Sequence, residues 1–223
     1  EVRGVNVNDQ KIIEQISKEV RKKLEGESSG HDWWHVYRVW QMARHIGRKE
    51  SANMFVVELA ALLHDISDWK FNNGDDTVGP KIARNILVKY AVNKEIIDLV
   101  CEIMLTMSFK GAGVKTNMRT LEGKIVQDSD RLDAIGAIGI GRTFAYGGHV
   151  NLQMHNPEKK PVMYKTKEEY FKNSTATINH FYEKLLLLKD RMNTKIAKRL
   201  AAGRHAFMKK YLERFYKEWK GLN

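Results

Sequence analysis

Little cysteine, little proline and no long apolar run characterise this 223-residue sequence. The one cysteine, Cys101, excludes an internal disulfide framework and fits a reducing compartment such as the cytoplasm. Its setting, "IIDLVCEIML", reads as a buried helix face, so the thiol is expected to serve as core packing. Three prolines leave few enforced breaks, and abundant Ala, Leu, Ile, Lys and Glu favour helix over strand. No apolar run approaches the about 18 residues of a membrane span. The longest, "MFVVELAALL", is short and is interrupted by Glu58. Residues 1–10 contain no apolar core of a signal peptide, so none is expected. Period-two alternation, internal repeats and low-complexity tracts are also missing. The class expected is therefore all-α, with the whole chain, 1–223, as a single domain.

The charge is unbalanced. Thirty-eight Lys and Arg against 27 Asp and Glu give a net charge of +11. Such a surface attracts nucleic acid, nucleotides or phosphorylated metabolites, although a solvated basic surface has the same composition.

Apolar spacing at Ile12, Ile13, Ile16, Val20 and Leu24 predicts a helix over 9–25, ended by Gly26. Further helices are expected from Asp32 to Ile46 with Gly47 closing the turn, from Asn53 to Ile66, over 78–91, and over 93–108 with Asn93 as cap. The stretch 120–148 reads as helical at both ends. Residues 149–166 are polar, include two prolines, and read as an extended surface loop. From Lys167 to Trp219 helix resumes, with a break near Asn193 and another expected at Gly203.

Some residues resist a purely structural reading. His64 and Asp65 end the apolar run "VVELAALL", so they point toward buried space. A buried carboxylate without a partner costs several kcal/mol, on the order of the desolvation penalty of an ion. A metal ion would compensate, and His35, Asp128, Asp130 and Asp133 are the donors available from other helices. Mixed imidazole and carboxylate donors suit Mn, Fe, Co, Ni or Zn better than Ca. His45 lies ten residues beyond His35, nearly three turns along the axis, and reads as surface or structural. Trp33 and Trp34 read as a pair that anchors the helix start by burying large area, with His31 at the rim of the site.

The patterns "DWWHVYRV", "LLHDISD" and "SDRLD", in that order over about residues 30–135, resemble the HD superfamily of metal-dependent phosphohydrolases. The segments "INHFYEKLLLLKDRMNT" and "RHAFMKKYLERF" resemble the tail of a bacterial subgroup of small HD proteins. The resemblance implies an HD-type helical bundle, with a metal-site core over about 30–135 and a helical extension over about 167–220. It implies His35, His64, Asp65 and Asp130 as ligands of one divalent metal, manganese first among the candidates, with Asp128 the rival to Asp130. No histidine falls between His64 and His149, which speaks for one metal rather than two. Asp32 is placed to cap the helix that presents His35.

A base must then orient the attacking water or take its proton. Asp68, three residues after Asp65, matches the position of an acidic residue in some members of the family. Arg38, one turn beyond His35, and Lys70 and Lys110 at helix ends are the cations expected on the phosphates. More cations than one phosphate requires favour a (deoxy)nucleoside triphosphate cut to release pyrophosphate, with a nucleoside monophosphate phosphatase as the alternative. Two non-catalytic readings remain: a nucleic-acid module using the basic segment 195–220, where Leu200, Phe207, Tyr211, Leu212 and Phe215 otherwise read as core packing, and a metal-holding domain without turnover. Neither a P-loop nor a GYP signature is present, and no membrane partner is expected.

Overall fold

The computed structural model describes residues 6–26, 32–67, 75–109, 112–113, 117–166, 169 and 175–222. Among these residues the only regular structure is helical.

Helix α1 spans Val7–Leu24. Asn6 and Asp9 exchange side-chain and backbone hydrogen bonds at 2.9 and 3.4 Å, closing a capping box. Ile13, Ile16 and Val20 face the core, and Gly26 takes the left-handed φ of 84° that follows a helix end. Helix α2 spans Trp33–Lys49 and runs past Gly47, which lies buried inside it. A Cβ at Gly47 would come within 2.9 Å of Met54 Sδ, so this glycine provides close approach and does not terminate the helix. The turn is made instead by Ser51, at φ 56°. Trp33 is buried, whereas Trp34 is 55 % exposed beside Arg21, so only the first tryptophan anchors the turn.

Helix α3, Met54–Leu63, is buried at all ten positions and stops three residues before the end its apolar pattern predicts. Helices α4, Val78–Lys89, and α5, Lys94–Met107, follow the predicted spans closely. Cys101 is buried in α5, with its thiol 3.4 Å from the Pro80 carbonyl, and burial raises its pKa. Helix α6 covers Leu121–Asp133. It is tied to α3 by Asn53 N–H donating to Glu122 Oε1 at 3.0 Å, and to the end of α5 by Gln127 Nε2 donating to the Met107 carbonyl at 3.0 Å.

The chain divides into two compact units, Glu1–Lys110 with Val114–Ser129, and Gly111–Gly113 with Asp130–Asn223. The division falls within α6, which is continuous across it.

In the second unit, α7 spans Gly136–His149 and opens on Gly136 at φ 79°. Residues 150–166 form no regular structure, as their polarity predicts. Helix α8 begins only at Asn179 and ends at Glu183. A 3-10 helix, Leu185–Arg191, precedes α9, which spans Lys195–Trp219 under a Thr194 cap. The expected break near Asn193 is present, but α9 passes through Gly203 without interruption, because neighbouring good helix formers outweigh one glycine. Residues 175–178 are not helical, unlike the expectation for 167 onward. Phe181, Leu185, Leu188, Ala201, Met208 and Leu212 are buried, and Phe181 stacks on Tyr211 at 5.9 Å. Phe207 is 50 % exposed and is not core.

Candidate metal centre

His35 sits in the first turn of α2. Asp32 fixes that turn by accepting the His35 backbone N–H at 2.8 Å, and the imidazole is left only 1 % exposed. His64 follows the last residue of α3. Every residue of α3 is buried, and its end brings the His64 ring, itself partly exposed, against the buried His35.

The His64 ring is oriented by its own backbone. Its Nδ1 lies 2.8 Å from the Ala61 carbonyl oxygen. A carbonyl only accepts, so Nδ1 bears the proton and Nε2 presents its lone pair. That Nε2 lies 3.2 Å from His35 Nε2, the rings meeting edge to face at 72°. His35 Nε2 is also 3.4 Å from Asp65 Oδ2. Asp130, carried on α6 directly after Ser129, supplies a carboxylate oxygen. The donor atoms of His35, His64 and Asp130 all lie within 4.8 Å of one another.

The donor set fits a divalent transition metal. Two imidazole nitrogens facing one another at 3.2 Å need a proton or a cation between their lone pairs. At a metal–nitrogen distance of about 2.1 Å that separation corresponds to an angle of roughly 100°, within the range of ordinary four- to six-coordinate sites. The contact of His64 Nδ1 with the Ala61 carbonyl is of the kind that fixes ring orientation and tautomer where a histidine binds a metal.

Of the three acidic candidates on α6, Asp130 stands with the histidines. Asp128 is fully buried, and two residues turn a helix by about 200°, so the two carboxylates leave α6 on nearly opposite sides. Asp133 pairs with Arg142 at 3.0 Å. Arg38 is partly exposed on α2, one turn beyond His35. Asp68, Lys70, Lys110 and His31 lie outside the described residues. His45 is exposed, as its distance along α2 predicts.

One feature near the histidines was not anticipated. Glu58, 3 % exposed in the middle of α3, accepts the Trp40 Nε1–H at 2.8 Å and lies 3.5 Å from Arg44 Nε. The available signal was a lone carboxylate inside an otherwise apolar run.

Residues 33–135 match the model of the HD domain. The protein YpgQ of Bacillus subtilis strain 168 is 41 % identical over 216 residues, covering 96 % of each chain. A crystal structure of an HD-superfamily hydrolase from Bacillus thuringiensis is 42 % identical, with a TM-score of 0.72 over 95 % of this chain and 98 % of that one. The crystal structure of Bacillus subtilis YpgQ in complex with ADP aligns with a TM-score of 0.75 and 36 % identity, over 95 % and 97 % of the two chains.

Proposed function

The chain belongs to the HD-domain superfamily of metal-dependent phosphohydrolases, and on that premise we propose that it hydrolyses nucleotides, releasing pyrophosphate from (deoxy)nucleoside triphosphates. The observation that carries the reading is the meeting of two Nε2 atoms at 3.2 Å beside the Asp130 carboxylate. His35, His64, Asp65 and Asp130 are the ligands in this reading, and manganese is the preferred metal, ahead of Fe, Ni, Co and Zn. When bound, a divalent cation supplies Lewis acidity to a phosphoryl oxygen and makes a water proton easier to remove.

The chain's own residues do the rest. His64 is held ready by its Nδ1–H bond to Ala61, so no tautomer change is needed on binding. Asp68 takes the proton of the attacking water. Arg38, Lys70 and Lys110 hold the phosphate oxygens in place and offset their charge. The nucleotide class is supported by the basic surface and by the relative crystallised with ADP. We read the whole chain as one HD domain working in the cytoplasm, and no described helix is long and apolar enough to cross a membrane.

The test is a screen of (deoxy)nucleoside mono-, di- and triphosphates with the manganese-loaded protein, with phosphate and pyrophosphate measured separately. Pyrophosphate from triphosphates, lost in His64→Ala, is expected. Phosphate from monophosphates alone would establish the phosphatase alternative. No turnover of any nucleotide would overturn the assignment.

A further inference from the structure

Helix α3 has one charged residue, and it is buried. Nothing about core stability asks for it. A buried ionic contact is often no better than apolar side chains of the same volume, because the carboxylate loses its hydration. Glu58 nevertheless stands among Val56, Val57, Leu59 and Ala60, all at most 1 % exposed. Its carboxylate reaches across to α2, where Trp40 donates to Oε2 at 2.8 Å and Arg44 Nε approaches to 3.5 Å.

The place of this contact along the two helices is informative. His35 on α2 meets His64 at the end of α3. Five residues on along α2 and six back along α3 stand Trp40 and Glu58. Gly47 then meets Met54 at the turn end. These pairs follow one antiparallel register, and the polar contact lies only about 7.5 to 9 Å of helix from the histidines. Apolar ridges alone define a helix pair loosely, because burial is non-directional and alternative ridge settings differ little. An indole N–H aimed at a carboxylate is directional, and it is satisfied in one register and one rotation.

We propose that Glu58 is a positioning residue for the metal centre: by accepting the Trp40 N–H it locks α2 against α3 and holds the Nε2 atoms of His35 and His64 at metal-binding separation. This rests on the reading of those two histidines as ligands. Glu58 touches neither metal nor substrate; it acts through the helix register.

The experiment compares manganese and cobalt binding to the full chain in the wild type and in variants. Trp40→Phe/Glu58→Leu removes both members of the hydrogen bond together; it also takes the carboxylate from Arg44 Nε, so its Tm is measured beside Arg44→Leu/Glu58→Leu, which removes the ion pair and leaves Trp40 in place. Manganese should bind the double variant lacking Trp40 about tenfold more weakly, the lower end of the range for outer-shell partners of ligands, and the visible Co(II) absorption should change. Glu58→Gln keeps an acceptor for the indole and should restore binding to within about threefold. Wild-type manganese affinity and an unchanged Co(II) spectrum in the double variant would overturn the proposal. Should the double variant not fold, Trp40→Phe alone decides: a loss of about threefold supports the lock, and wild-type affinity overturns it. His64→Ala separates the two levels of the argument. Loss of metal there beside intact binding in the double variant refutes only the role of Glu58, whereas metal retained in His64→Ala removes the ligand reading and this proposal with it.

Discussion

In the first unit the buried His35 and the half-buried His64 turn two ring nitrogens toward one another at 3.2 Å. In the second unit the buried Glu183 turns its carboxylate to its own chain. Its Oε1 accepts from Val162 N–H at 3.1 Å and from the Thr175 hydroxyl at 2.8 Å. Asn179 Nδ2 likewise donates to the Lys159 carbonyl at 2.8 Å. Both units pay desolvation for polar side chains. Among the described residues His35 and His64 direct ring nitrogens at one another, whereas Glu183 and Asn179 fasten the irregular segment 150–166 to α8. Polar side chains that close on nearby backbone read as structural; side chains of different helices whose donor atoms converge are a candidate for chemistry.

The sharpest way to break this contrast is to remove one group from each side. His64→Ala should abolish stoichiometric manganese binding and reduce hydrolysis by at least about 10³-fold, since the cation supplies much of the stabilisation of developing charge. Asp130→Ala should follow it closely, and metal analysis of the purified variants beside turnover checks both. An Asp130→Ala protein with full metal content would move the distal ligand elsewhere, with Asp128 the first alternative on α6.

Glu183→Ala should do the opposite. It strips the partner from the Val162 N–H and the Thr175 hydroxyl and is expected to cost about 1 to 3 kcal/mol, read as a lowered Tm, with manganese affinity unchanged. Its pH dependence is equally specific. Burial raises the Glu183 pKa above its ordinary 4.5, against the two hydrogen bonds that lower it. The folded state therefore holds the proton more tightly than the unfolded chain. Stability from this group is fully present below about 4.5 and is lost as pH rises through the elevated folded value. Glu183→Gln keeps an acceptor and has no charge to bury, so it should flatten that part of the profile and match or exceed the wild type near neutrality. A Gln variant with an unaltered pH slope would assign the slope to other groups.

How far each region could be read in advance follows from the same contrast. The apolar run of α3 announces a buried helix by itself, and a His-Asp pair at its end announces a polar group delivered to the interior. The approach of His35 to His64 was legible only through motif order, because spacing along the chain does not fix how α2 packs on α3. Glu58 looked like an interruption, since its partners Trp40 and Arg44 are neighbours only after folding. In the second unit, polarity correctly marked 150–166 as irregular, yet the Leu-rich run 185–188 adopts 3-10 geometry that apolar periodicity does not distinguish from α-helix. Glycine was the least legible residue type, because the sequence does not show whether it serves a turn, a close contact or neither.

Two helical glycines make that last point testable at the small end of the scale. Gly47 and Gly203 were both expected to end a helix, and both lie inside one. At Gly47 an added methyl would meet Met54 Sδ at 2.9 Å and Val57 Cγ1 at 3.5 Å in a buried setting. Gly47→Ala should therefore cost about 1 to 3 kcal/mol through overpacking between α2 and α3, unless the Met54 thioether swings aside. At Gly203 nothing lies within 4 Å of the added Cβ and the position is exposed on α9. Alanine there removes backbone freedom from the unfolded chain and should stabilise by about 0.5 to 1 kcal/mol. Paired thermal melts read both, and the two shifts should carry opposite signs. A destabilising Gly203→Ala would mean that this face of α9 is covered in solution, which would make the basic helix a contact surface and not a solvated one.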